Sequence, residues 1–237
     1  MPQFENYAPY STGFDTTEAV NALFRKVYQF MAIGLILTAL AAYFTASSAF
    51  MINMLYTSRA PMLIIAVAEI GLVIWLGAGI NKLSPEGARN IFFVYSILNG
   101  ILCSSVLLVY TGESVSKAFL STAGMFGAMS IYGLYTKRDL TGMGGFLRMG
   151  LFGLIIAMVI NLFMGSSTME LYISIFGIII FMGLTAYDTA KIKAIADSYG
   201  NDEAMTGKIA VLGALSLYLD FVNIFLYLLR MFGKHRD

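Results

Sequence analysis

Seven stretches of mainly apolar residues alternate with short polar turns along the 237-residue chain, at about 27–46, 62–80, 91–110, 118–135, 146–164, 171–190 and 209–229. Each is close to the roughly 20 residues that a helix needs to cross about 30 Å of hydrocarbon. Lipid offers nothing to satisfy backbone N–H and C=O groups, so such segments are predicted to be helical. A membrane barrel would alternate apolar and polar residues over about ten positions, and these runs do not. Turns such as Asn81-Lys82-Leu83-Ser84-Pro85-Glu86 and Lys137-Arg138-Asp139 separate the segments. The longest connection, about Lys191 to Lys208, holds Asp197, Asp202 and Glu203. The expectation is one all-α domain, a polytopic membrane protein of seven transmembrane helices behind a polar N-terminal tail, 1–22. Small residues recur at packing distance (Gly124 with Ala128, Ala123 with Gly127, Gly150 with Gly153), which predicts close helix approach in lipid.

Composition narrows the picture. Charged residues make up 12% of the chain and mean hydropathy is +0.76. A soluble domain carries about 25% charged residues, so this chain lacks the polar surface that water demands. Net charge is +1, which gives no footprint for nucleic acid. The single cysteine, Cys103, excludes an internal disulfide and any multi-cysteine metal site, and it reads as a small buried residue. The single histidine, His235, is near the C-terminus, so no buried imidazole is available for catalysis. The segment Met1–Asn21 contains Glu5, Asp15 and Glu18 and lacks a basic region before a short apolar core, so the first apolar stretch reads as a retained span.

Lys and Arg set the expected orientation. Ten of them fall on the N-terminal side: Arg25, Lys26, Lys82, Arg89, Lys137, Arg138, Arg148, Lys191, Lys193 and Lys208. The opposite loops hold Arg59 and Lys117, so the N-terminus is expected in the cytoplasm. Arg230, Lys234 and Arg236 lie outside if the seventh segment crosses fully, and inside if it re-enters; a full span is expected because the apolar run is long enough.

Acids within spans cost about 2.5 to 3.5 kcal/mol each on insertion and are functional candidates by default. Glu69 lies mid-segment two, Asp188 near the cytoplasmic end of segment six and Asp220 mid-segment seven, with no Lys or Arg comparably deep. Ser216, Asp220, Asn223 and Tyr227 follow at steps of 4, 3 and 4, one stripe of a helix. Segment six carries Ser174, Gly177, Thr185 and Asp188, and segment three Ser96, Asn99 and Cys103, at compatible spacing. Facing one another, these stripes line either an interior path or a hydrogen-bond network that only fixes packing. Two carboxyls close together in a low-dielectric site cannot both ionise cheaply; they share a proton and titrate as a unit. Carboxylate and carbonyl oxygens suit a hard cation such as Ca²⁺, and so few acids permit only weak, transient binding, as conduction requires. Segment seven has no lysine for a retinal Schiff base, and no phosphate loop, dinucleotide fingerprint or zinc-protease motif is present. No enzymatic activity and no cofactor are expected.

Gly183-Leu-Thr-Ala-Tyr-Asp-Thr-Ala-Lys-Ile-Lys193, Leu215-Ser-Leu-Tyr-Leu-Asp-Phe-Val-Asn-Ile-Phe-Leu-Tyr-Leu-Leu-Arg230 and Ala68-Glu-Ile-Gly-Leu-Val73 together resemble the Bax inhibitor-1, or transmembrane BAX-inhibitor-motif, family in a bacterial form. The resemblance implies a seven-helix fold whose last helix is central, wrapped by the other six. It implies a pH-sensitive calcium leak whose paired aspartates on helices six and seven match Asp188 and Asp220. Eukaryotic relatives are linked to suppression of cell death, and some bacterial relatives modulate a membrane-anchored ATP-dependent protease. Bacterial relatives often carry an arginine near the cytoplasmic end of helix two that latches onto the pair; Gly79 stands near that place here, and Lys82 is the closest base.

Three functions stay open. The first is a passive calcium or cation leak of the cell inner membrane, gated by Asp188 and Asp220, which would also be its weak, transient metal ligands. Glu69, Asn99, Ser216, Asn223 and Tyr227 would line its path or polar core, with Lys82 as the possible latch. The second is a non-conducting regulator that binds a membrane-anchored protease or another stress-response partner through Met1–Asn21. The third is a proton-coupled cation exchanger using the same acids.

Overall fold

The computed structural model describes residues 16–199 and 203–236, and the polar tail's first fifteen residues and Asp202 lie outside them. Eight α-helices follow one another: α1 (Thr16–Ser47), α2 (Ala49–Tyr56), α3 (Ala60–Gly79), α4 (Pro85–Val109), α5 (Gly112–Tyr135), α6 (Thr141–Met164), α7 (Ser167–Tyr199) and α8 (Glu203–Phe232). Six of them, α1, α3, α4, α6, α7 and α8, are long and apolar enough to cross a membrane. The fourth sequence segment lies in α5, which has the length but interleaves Glu113, Lys117 and many Gly, Ser, Thr and Tyr residues with its apolar ones, and it falls short of that standard.

The helix starts follow from side chains that satisfy otherwise unpaired N–H groups. Ser84 accepts from Gly87 N at 3.0 Å ahead of Pro85, and Thr111 accepts from Ser114 N at 3.3 Å. Gly165 closes α6 in the left-handed conformation, with φ +62°. Two expectations change at helix ends. The polar stretch after residue 190 is not a loop: α7 continues to Tyr199 and α8 starts at Glu203, so hydropathy had marked where the apolar run ends rather than where the helix ends. The connection between the first two segments also holds α2, whose Leu55 is buried.

α8 packs against α1, α4, α5 and α7, and 61% of its apolar window is buried, the largest share among the six. Its first half joins one core cluster with Val27, Phe92 and Tyr95, and its second half joins another with Ile178 and Phe181. Outward-facing Phe44, Phe146, Leu162 and Phe163 are exposed, as a surface meant for hydrocarbon must be. α8 is unbroken for 30 residues, so the described chain has no re-entrant turn there. Its tail returns to the α4–α5 link, where Thr111 N donates to Lys234 O (3.1 Å) and Arg236 N to Val109 O (2.8 Å). At the same end the Lys117 ammonium, 2.5 Å away, holds the Glu113 carboxyl below the usual carboxylate range.

Of the small residues expected to bring helices together, Gly150 meets Ile180 of α7, while Gly124, Gly127 and Gly153 face open space; the closest approaches to another helix's backbone are at Gly100 and Gly133. A Cβ on Gly100 would clash with the Thr38 carbonyl of α1, and one on Gly133 with the Ala186 carbonyl of α7. Spacing along a helix shows which residues share a face, and only the tertiary register shows which face meets a neighbour.

Candidate functional site

The polar residues collect into two groups on different sides of α8. In the first, the α7–α8 contact brings Asp188, which is half-buried, opposite Asp220, which is only 4% exposed. Their repulsion when both are charged is the electrostatic signature of the pair. The Ser216 hydroxyl, one turn before Asp220, reaches Asp188. Thr185, one turn before Asp188, reaches Asp220 while giving its only proton to Phe181 O at 2.8 Å. Asp220 Oδ2 is buried with no hydrogen-bond partner.

The bases within electrostatic reach of Asp188 are Lys191 on its own helix and Arg148 on α6, neither of which the sequence reading had placed there. Lys82, its candidate latch, is exposed on the turn after α3 and makes no ion pair among the described residues. Spacing from Asp188 to Lys191 is three residues, a legible helical pair, whereas Arg148 is brought in by the α6–α7 register alone.

The second group links four helices. Asn99 Nδ2 of α4 donates to Glu69 Oε2 of α3 (3.3 Å), and the Tyr218 hydroxyl of α8 donates to Asn99 Oδ1 (3.0 Å). Thr38 Oγ1 of α1 is 2.6 Å from the Tyr218 hydroxyl and 2.9 Å from both Gly34 O and Ser96 O. Cys103 Sγ also donates to Asn99 Oδ1, at 3.5 Å. Glu69 is 8% exposed, and its Oε1 has no partner. Phe92 and Tyr95 hold the Tyr218 ring edge-to-face at 5.6 and 5.8 Å. Tyr218 and Thr38 escaped the sequence reading, although a tyrosine in mid-span always needs a partner for its hydroxyl.

The structure therefore separates Glu69 and Asn99 from the aspartate pair. Asn223 turns back on its own helix, donating to Leu219 O at 2.8 Å, and the Tyr227 hydroxyl faces Met158 Sδ at 3.5 Å. Phe119, Phe221 and Phe225 line an apolar cavity of about 160 Å³ between α1, α4, α5 and α8, and its wall includes Thr38 and Cys103 of the second group. Among the described residues no three His, Cys, Asp or Glu side chains come together as a metal site.

A helical bundle with several membrane-crossing segments, no strand among its described residues and a carboxyl pair between its last two helices defines a class of multi-pass membrane proteins. The family described as Inhibitor of apoptosis-promoting Bax1 matches residues 20–237, and the chain belongs to this Bax inhibitor-1 family. It is 44% identical over 212 residues to the inner membrane protein YbhL of Escherichia coli K12, covering 89% of this chain and 91% of that one. It is 42% identical over 220 residues to the uncharacterized protein RP147 of Rickettsia prowazekii, covering 93% and 92%. A protein of Borreliella burgdorferi is 40% identical over 217 residues, covering 92% and 94%.

Proposed function

We propose that this chain is a pH-gated passive leak for calcium, or for cations more generally, in the inner membrane. The observation that carries the reading is the Asp188–Asp220 contact, with Asp220 buried and one of its oxygens unpartnered. A shared proton holds the two carboxyls, and with them α7 and α8, together in the closed state. When the proton leaves, like charges repel, and Lys191 and Arg148 offer Asp188 an alternative partner away from Asp220. The inner-membrane assignment is supported by the name of the Escherichia coli relative. The seven-span arrangement with α8 at the centre is supported by the burial of α8 and by α5, which packs along both α7 and α8. The cytoplasmic N-terminus rests on the Lys and Arg distribution.

The test is calcium entry into dye-loaded liposomes holding the purified protein, scanned over about pH 5 to 8, where a coupled carboxyl pair can titrate. Flux should rise with pH, and Asp220→Asn or Asp188→Asn should remove the dependence. A flux that needs an opposing proton gradient would indicate an exchanger. No flux at any pH would replace the leak with the partner-binding regulator, whose proposed contact, Met1–Asn21, lies largely outside the described residues.

A further inference from the structure

At the end of the bundle where α5 and α7 stop, Lys137 and Arg138 of the α5–α6 link and Lys191 and Lys193 of α7 surround a pocket of about 500 Å³. Asp139 is the single acid lining it. None of the four cations makes an ion pair within 4.0 Å among the described residues, although Lys191 is within electrostatic reach of Asp188, and Lys193 spends one of its hydrogens on Leu134 O at 2.9 Å. Four cations drawn from two separate elements around one cavity repel one another, and an anion inside it would relieve that repulsion.

The neighbouring surface says which anion. Farther along α7, that helix and α6 form a groove of about 600 Å³ with an almost wholly apolar lining, bounded by Phe146, Gly150, Gly153, Tyr172, Phe176 and Ile180. Phe146, Tyr172 and Phe176 are exposed on the face that meets hydrocarbon. On α7 the groove ends at Ile180 and the basic pocket begins at Tyr187, a rise of roughly 10 Å along the helix. Tyr187 itself packs on Gly144 of α6 between the two. A groove for an acyl chain thus leads into a pocket for a phosphate. Basic pockets between helices at a membrane surface are suited to anionic lipid head groups.

We infer that the α6–α7 face is a binding site for one anionic phospholipid, its phosphate among Lys137, Arg138, Lys191 and Lys193 and a chain in the adjoining groove. A free phosphate shares the head-group chemistry but has no use for the groove, and the lipid is the occupant that fills both.

The protein is reconstituted in phosphatidylcholine vesicles with a trace of spin-labelled phosphatidylglycerol or, separately, spin-labelled phosphatidylcholine, and the motionally restricted fraction is read by electron spin resonance. Phosphatidylglycerol should be preferred at least about fivefold, with about a fivefold loss of preference for each cation removed. Lys137→Gln and Arg138→Gln are the first variants because both side chains are exposed and unpaired, so folding is not at stake. Gly153→Leu, placed in open space in the groove, should lower the restricted fraction without touching a charge. Lys117→Gln, at the opposite end, should change nothing. Equal restriction of the two lipids, or a preference that survives loss of Lys137 and Arg138, would overturn the site. Abolition of the preference by 10 mM inorganic phosphate at constant ionic strength would assign the pocket to free phosphate and overturn the lipid.

Discussion

Tyr218 has one hydroxyl proton and two acceptors within reach, Asn99 Oδ1 at 3.0 Å and Thr38 Oγ1 at 2.6 Å. Thr38 likewise has one proton for Tyr218 and the carbonyls of Gly34 and Ser96. Given to Asn99, the tyrosine proton orients that amide so that its Nδ2 meets Glu69. The tyrosine therefore positions the only donor among the described residues that reaches Glu69, without touching the acid itself. A double-mutant cycle of Tyr218→Phe and Thr38→Val should give a coupling of about 0.6 to 1.7 kcal/mol, the range found for hydrogen bonds between helices in membranes, in detergent unfolding titrations. Additive losses would show that the 2.6 Å contact contributes nothing. The acids in this network and in the aspartate pair were readable in the sequence, because a carboxyl in an apolar run has a large insertion cost and stands out. Thr38 and Tyr218 were not, because hydroxyls in spans are cheap and which of them meet is decided by how α1 and α8 are set against each other.

Helix packing here depends on places where no side chain fits. Gly133 and Gly127 are both on α5, six residues apart, yet only Gly133 meets a neighbour, the Ala186 carbonyl and Thr189 of α7. Gly133→Ala should cost about 1 to 3 kcal/mol, since the obstruction is backbone and cannot rotate away. Gly127→Ala should be neutral or raise stability by up to about 1 kcal/mol through helix propensity. Thermal midpoints of the two variants in the same detergent decide the matter, and equal midpoints would mean that α5 does not seat on α7 as described. Six of the seven apolar segments could be read as spans because hydropathy over 20 residues is a strong signal. The added turns of α1 before residue 27 and of α7 after residue 190 were not legible, since polar turns outside lipid carry no hydropathy mark. Residues 68–73 of α3 illustrate the same limit: their pattern shows a span, and only the structure shows Glu69 turned inward while Ala68 and Ile70 face out.

At the scale of the molecule, α8 has the largest buried share among the six membrane-crossing helices. α8 packs along α1, α4, α5 and α7, touches α6 through Tyr227, carries Tyr218 into one polar group and Asp220 into the other, and ends in a tail bonded to the α4–α5 link. It is also made after the helices it organises. During synthesis α1, α4 and α7 therefore enter the bilayer with their innermost faces exposed to lipid, and Glu69 and Asp188 wait there without Tyr218 and Asp220. A chain stopped before Glu203 should still insert but remain splayed, with a half-life in cells several-fold shorter than that of the full chain in a pulse–chase experiment. Survival equal to the full chain would show that the earlier helices close by themselves. The molecule thus has a moment of birth that differs from its resting state: until the last helix arrives, quality-control proteases meet membrane-embedded acids whose surroundings are incomplete, and the final thirty or so residues determine whether that exposure ends.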